Sequence, residues 1–397
     1  MKSTNGVIPY GWEKEKIASI GEVVSGATPK TSEPRYWDGS LVWITPKDLS
    51  RLNSAYIDTS ERKITDTGFE SCSATKIPVN SLIMSSRAPI GYLAINRVPA
   101  ATNQGCKSII PKANVSTEYL YYYLTQNIDD VKRLGSGSTF VEVGKSAVES
   151  VEVLIPPIVE QKKIADILLT VDEEIKKIDE IIASALKLKS GLMRKFFDNA
   201  SGKTVDLSGV ISIANGQVDP KQEPYKSMCL LAPNHIESGT GRILEKTTAE
   251  SQRAISGKYF VEEGDVIYSK IRPYLMKVAI ADENCLCSAD MYPLKARDGM
   301  SNHFLFYLLL SERFTNFANS NSARTGIPKL NREELGRYSF NLPSKDEQVS
   351  IVSILSSIDG SISIKQTMKE RLLLLRTGLM QDLLTGKVRT EKNEHAG

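Results

Sequence analysis

Residues 155–197 of this 397-residue chain align without a gap on residues 342–384, an offset of 187. "IPPIVEQKKIADILLTVDEEI" meets "LPSKDEQVSIVSILSSIDGSI", and "LKLKSGLMRKFF" (186–197) meets "LLLRTGLMQDLL" (373–384). Matched positions include Pro156/Pro343, Glu160/Glu347, Gln161/Gln348, Asp172/Asp359, Gly191/Gly378 and Met193/Met380. A repeat of this length limits the fold more than any local signal, because both copies must satisfy one packing solution.

Each copy reads as a long helix. Pro157 suits a first turn, where its missing N–H costs nothing, and Ser344 with Glu347 has capping-box spacing. Ile164, Leu168, Val171, Ile175, Ile178, Ile182, Ala185, Lys189, Leu192 and Phe196 alternate at four and three residues, a heptad seam. The second copy opens the same seam with Ile351, Leu355, Ile358 and Ile362, then places Lys365, Lys369 and Arg376 on it. Thirty or more residues rising 1.5 Å each predict helices roughly 45–50 Å long. Two such seams in one chain are expected to pack on each other, while the acids of "VDEEI" (171–175) are expected on a solvated face.

The intervening segments correspond more loosely. "WITPKDL" (43–49) meets "LLAPNHI" (230–236), "PVNSLIMSSRAPIGYLAI" (78–95) meets "VEEGDVIYSKIRPYLMKVAI" (261–280), and "EYLYYYL" (118–124) meets "HFLFYLL" (303–309). Short β-runs mixed with one helix imply compact α/β units. The expected plan is therefore α+β and pseudo-twofold. It has a unit over 1–155, a helix over 156–200, a second unit over 201–342, and a second helix with a tail over 343–397.

Composition narrows the chemistry. No apolar run approaches the roughly 20 residues of a membrane span, and the opening "MKSTNGVIPYGWEKEK" lacks a signal-peptide core. The five cysteines are odd in number and without C-x-x-C spacing, which implies free thiols in a reducing cytoplasm. Cys285 and Cys287 share one face of an expected strand and read as buried. His235, His303 and His395 are not spaced as metal ligands, so no metal site is expected. "SGKT" (201–204) fails as a phosphate-binding loop because Phe197 stands where its first glycine belongs. No other nucleotide-binding or catalytic motif is present, and no catalytic residue emerges. Residues 1–155 carry 17 basic and 16 acidic side chains, and residues 201–342 carry the same numbers. Any basic surface must therefore come from arrangement rather than composition.

The paired Pro-x₃-Glu-Gln…Ile-Leu…Asp helices closing in Gly-Leu-Met, each behind an α/β unit, resemble the specificity subunit of type I restriction–modification systems. "GWEKEKIASIGEVVSGATPK", "YWDGSLVWITPKDL", "SLIMSSRAPIGYLAI" and the "GSGSTF" loop resemble that family's target recognition domains, and the resemblance covers nearly the whole chain. It implies two domains that each read one half of a split, asymmetric double-stranded DNA site. The two helices would pair as an antiparallel coiled coil, spacing the domains and docking two methyltransferase subunits. S-adenosylmethionine, ATP and Mg would be used by partner methyltransferase and restriction/translocase subunits, with no cofactor in this chain. A separator of about 45 Å corresponds to about 13 base pairs at 3.4 Å each. Two further readings stand beside this one: a coiled-coil scaffold without a DNA role, and a DNA-modifying enzyme with an unrecognised site.

Base reading calls for Arg or Lys toward guanine, Asn or Gln toward adenine, and hydroxyls as adaptable partners. The first unit offers Lys30, Thr31, Arg35, Lys47, Ser85, Ser86, Arg87, Asn103, Gln104, Lys107, Ser136, Ser138 and Thr139. The second offers Lys221, Asn234, His235, Ser269, Lys270, Arg272, Tyr274, Arg324, Thr325 and Lys329. "SSR" (85–87) and "SKIR" (269–272) are the favoured clusters. For helix pairing or docking, the candidates are the apolar seam positions together with Gly191, Leu192, Met193, Gly378, Leu379 and Met380. A mid-helix glycine costs roughly 1 kcal/mol relative to alanine. Its repetition implies either close approach of a helix or partner, or a deliberately loosened helix end.

Overall fold

A computed structural model describes residues 8–135, 141–322 and 326–390. The chain forms two compact units: Met1–Glu180 with Thr367–Gly397, and Ile181–Gln366. These cuts fall inside the long helices rather than at 155/156, 200/201 and 342/343. Each unit takes the first half of one helix and the second half of the other.

In the first unit, strands Glu13–Lys16 and Glu152–Ile155 pair antiparallel and bring the start of the α/β domain beside its end. A five-stranded sheet runs in the order Gly21–Ser25, Cys106–Pro111, Leu82–Ser85, Leu93–Asn96, Tyr56–Ile57. A three-stranded sheet holds Lys63–Ile64, Trp37–Ile44 and Ala100–Thr102. The second unit repeats the plan. Lys203–Asp206 pairs with Ser339–Leu342, and a four-stranded sheet runs Ile211–Ile213, Met291–Ala296, Val266–Ser269, Val278–Ile280. Leu230–Leu231, Cys285–Cys287 and Tyr259–Val261 form its three-stranded sheet. Both cysteines of that central strand are buried, and burial pushes the Cys285 thiol up to about 12. They are inert core residues.

The long helices run Ile158–Asp198 and Lys345–Leu383, 41 and 39 residues. At 1.5 Å per residue each is about 60 Å long, which exceeds the 45–50 Å expected. The extra turns are held by domain cores. Ile164, Leu168, Met380, Leu383 and Leu384 are buried with Trp12, Tyr119 and Leu120 in the first unit. Met193, Phe197, Ile351 and Leu355 are buried with Leu207, Phe304 and Leu308 in the second. Each α/β domain thus completes its core with the beginning of one long helix and the end of the other.

A glutamine explains why "EQ" recurs. Gln161 Oε1 accepts from the Ser116 amide at 2.8 Å, and its Nε2 donates to the carbonyls of Asn114 and Pro156. Gln348 makes the same three bonds with the Ser301 amide and the carbonyls of Gly299 and Pro343. Ser116 and Ser301 cap the domain helices Thr117–Gln126 and Asn302–Leu309. The buried glutamine therefore ties a helix cap to the entrance of the long helix. Glu347 departs from the capping box: its amide meets Ser344 Oγ at 3.3 Å, but its carboxylate takes the Ser201 hydroxyl.

No described helix is long and apolar enough to cross a membrane.

Candidate functional site

The helices pair antiparallel through charge as well as apolar packing. In the first unit Arg376 meets Asp172 at 2.5 Å and Lys369 meets Asp179 at 2.6 Å; in the second, Lys189 meets Asp359 at 2.6 Å. The residue numbers of every pair total 548, which is one antiparallel register. Lys369 and Arg376, polar interruptions of the second seam by sequence, are thus its cross-helix partners. Lys365 is half-buried on the same seam.

Asp172 corrects the expectation of a solvated acidic face. It also accepts from Tyr122 Oη at 2.7 Å, and Asp359 accepts from Tyr307 at 2.8 Å. Burial first, then the neighbouring carboxylate, pushes both phenols well above their usual range, so they remain donors. A tyrosine of each domain helix, an aspartate of one long helix and a cation of the other therefore form one network, built twice. The signal lay in the aligned "YLYYYL" and "FLFYLL" but needed the fold to be read.

The seam candidates divide. Val171, Ile178 and Ile362 are buried, and Ile175, Ile182, Ile358, Leu192 and Leu379 are half-buried. Met193 and Met380 are domain-core residues, so they are not free for a partner. Gly191 is exposed, and a Cβ placed at Gly191 or Gly378 would meet no atom within 4 Å. Close helix–helix approach inside the chain is thus not the reason for these glycines. Both glycines lie in the closing turns of their helices, seven residues before Asp198 and five before Leu383. Along the two helices four pairs of exposed apolar side chains repeat: Ile167/Ile354, Ile181/Met368, and, nearest the glycines, Leu186/Leu373 and Leu188/Leu375.

In the first α/β domain, several candidates prove structural. Ser85 Oγ bonds the Pro89 carbonyl and the Tyr92 amide, and Asn103 Oδ1 accepts from the Gly105 amide. Thr28 Oγ1 donates to Gln104. Lys30 and Arg35 flank Glu33, and Lys47 pairs with Glu61; all three cations are exposed, as is Thr31. Such surface pairs contribute only about 0–1 kcal/mol, so they can yield to a phosphate. Arg87 and buried Lys107 converge on Glu142, at 2.8 and 3.1 Å, with Ser86 Oγ also beside Lys107. Burial raises the Glu142 carboxyl, but the hydrogen bonds from Lys107 and Arg87 outweigh it and hold the group below its usual range.

In the second domain, His235 is buried and its Nδ1 accepts from the Ala232 amide, so it braces a turn rather than facing outward. Ser269 is also buried, with its hydroxyl on the Ile271 carbonyl. Lys221, Asn234, Arg272, Tyr274 and Lys329 are exposed. Arg272 adopts a left-handed backbone (φ 49°) just before Pro273. Lys270 lies over the Tyr292 ring at 5.0 Å. Burial, then the nearby Lys329, lowers its ammonium below the usual lysine range. Arg332, anchored on the Ala214 carbonyl at 2.7 Å and on Asn215, covers the same ring at 5.5 Å. Among the described residues no carboxylate pairs with Lys270 or Lys329. Ser136, Ser138, Thr139, Arg324 and Thr325 lie outside the described residues.

Sequence reading missed Glu142, Tyr292 and Arg332. Glu142 lies two residues past the sequence stretch "GSGSTF", but its role shows only when Arg87 and Lys107 reach it from distant parts of the chain. Among the described residues no group of three or more His, Cys, Asp or Glu side chains could hold a metal.

The family described as the type I restriction modification DNA specificity domain matches twice, over residues 9–185 and 202–374. The MjaIX type I restriction enzyme specificity subunit of Methanocaldococcus jannaschii is 44% identical over 182 residues, 45% of this chain and 42% of that one. The EcoDI specificity subunit of Escherichia coli is 29% identical, with 97% of this chain and 90% of that one aligned. The crystal structure of a type I restriction–modification S subunit from M. genitalium shares the fold. Its TM-score is 0.62 at 14% identity, over 96% of this chain and 98% of that one.

Proposed function

Because the chain belongs to the type I restriction–modification DNA specificity family, we propose that each of its recognition domains reads one half of a bipartite, asymmetric DNA site. As a specificity subunit the chain is a non-catalytic part of a restriction–modification complex. The paired helices set the number of unread base pairs between half-sites. Their outer faces dock two methyltransferase subunits, and restriction/translocase subunits complete the assembly in the cytoplasm. S-adenosylmethionine, ATP and Mg belong to those partners.

The observation that carries the docking role is the set of exposed apolar pairs repeated at an offset of 187, of which Leu186/Leu373 and Leu188/Leu375 adjoin a glycine with open space above it. Equivalent faces on one asymmetric chain suit two copies of one partner, and a side chain missing at Gly191 and Gly378 admits a partner helix closely. Large exposed apolar side chains on a helix face mark an interaction surface. The spacer role is supported by the antiparallel ion-pair register, which keeps the helix pair from sliding.

Selection of random duplex DNA by the chain together with its methyltransferase partner tests the reading. Enrichment of a two-part motif with a constant gap is expected. Inserting one helical turn into each long helix should lengthen that gap. An unchanged gap would remove the spacer role, and no enriched motif would remove DNA reading altogether.

A further inference from the structure

We propose that one backbone position, present in both recognition domains, is where each domain discriminates its bases, with Glu142 and Arg87 as specificity-determining residues in the first domain and Lys329 in the second, in a frame that also holds buried Lys107 and Tyr292 respectively. This rests on the DNA-reading role above and says which side chains differ so that two similar domains read different half-sites.

The equivalence follows from hydrogen bonds. The Ser86 amide donates to the Gly105 carbonyl at 2.8 Å, and the Lys270 amide donates to the Asp290 carbonyl at 3.0 Å. The Ser86 carbonyl accepts from Val143 at 2.9 Å, and the Lys270 carbonyl accepts from Leu330 at 2.8 Å. One residue on, Arg87 bridges Glu142 and Ile271 bridges Lys329. On the neighbouring strand Lys107 stands opposite Met84, and Tyr292 opposite Tyr268. The backbone equivalent of Arg87 is therefore Ile271, and Arg272 lies one residue further along.

Four positions thus share a frame and differ in every side chain: Ser86/Lys270, Arg87/Ile271, Lys107/Tyr292 and Glu142/Lys329. Elsewhere the duplicated contacts keep their residues, as at Gln161/Gln348, Tyr122/Tyr307 and Asp172/Asp359. A frame conserved in its main chain but exchanged throughout its side chains is what two readers of unlike sequences need, because backbone positions a reader and side chains at base edges discriminate.

The chemistry of the two sets is opposed. The first presents an acceptor, Glu142, oriented by two donors at 2.8 and 3.1 Å. A carboxylate accepts from the amino group of a base, and a guanidinium donates to guanine. The second presents Lys270 and Arg332 over the Tyr292 ring, with no carboxylate in ion-pair contact with Lys270 or Lys329 among the described residues, which suits base edges rich in acceptors, as in guanine.

Motif selection with the full chain and its methyltransferase partner, comparing Glu142→Gln, Arg87→Gln and Lys329→Ala with wild type, tests this. Arg87 and Lys329 are exposed, so their replacement leaves the domains folded even if Glu142→Gln does not. Glu142→Gln and Arg87→Gln should each relax base preference roughly tenfold at one or two positions of one half-site, leaving the other half intact. Lys329→Ala should relax only that other half. An unchanged motif in all three would overturn the assignment. So would uniform weakening on every sequence with a shallower salt dependence, which marks phosphate contacts. A wild-type complex that selects no motif overturns the DNA-reading role itself, and the inference with it.

Discussion

Lys189 and Asp359 meet at 2.6 Å between the two long helices, and at the repeat-related positions Arg376 and Asp172 meet at 2.5 Å. The cation and the acid have exchanged helices while the contact is preserved. Partly buried charges on an otherwise apolar seam contribute little net stability, but they disfavour every other register.

The Asp172–Arg376 pair should show strong coupling. Their side chains are 28% and 24% exposed, so a double-mutant cycle with alanine is expected to give about 1–2 kcal/mol of interaction energy. Tyr122→Phe, which removes one donor from Asp172, should cost about 1 kcal/mol. Denaturant unfolding measures both; additive single mutants would show that the pair is only a surface contact.

Glu160 is 1% exposed and receives Arg389 in two bonds at 2.8 Å and the Trp12 indole at 3.1 Å. Arg389→Ala leaves a buried carboxylate without its cation and should destabilise the first unit by about 3–5 kcal/mol. Adding Glu160→Gln should restore part of this. Hydrogen exchange resolves the two units, and equal loss of protection in both would contradict a local effect.

Gly191→Ala and Gly378→Ala should stabilise the free chain by about 0.5–1 kcal/mol, because the added methyl meets only solvent and alanine favours helix. Gly191→Leu should leave the fold intact yet weaken methyltransferase binding at least tenfold. Co-purification of a full-strength complex from the leucine variant would exclude close partner approach at this position.

Glu142 links stability to pH. Its folded carboxyl lies below the usual 4.5, so its contribution is fully present above the unfolded value and is lost as pH falls through the folded one. First-domain stability should therefore begin to fall below about pH 4.5, and Glu142→Gln should flatten that part of the profile. The same slope in the variant would mean that other carboxylates carry it.

Much of this architecture was legible in the residue order. The offset of 187, the 4–3 alternation from Ile164 to Phe196, and the aligned aromatic helices determine two α/β units and two long helices, since each is a local or periodic property of the chain. Tertiary structure alone decided which side chains are available. Ser85, Ser269 and His235 look like DNA-facing residues in sequence but are consumed by turns, whereas Glu142, Tyr292 and Arg332 enter their sites from a bridge segment, a strand and a helix start that lie far along the chain. The seam lysines and arginine became partners of Asp172, Asp179 and Asp359 only once the register was set. Periodicity reports the face a residue occupies, but a hydrogen bond depends on what another part of the chain brings within about 3 Å, and that is a property of the folded molecule.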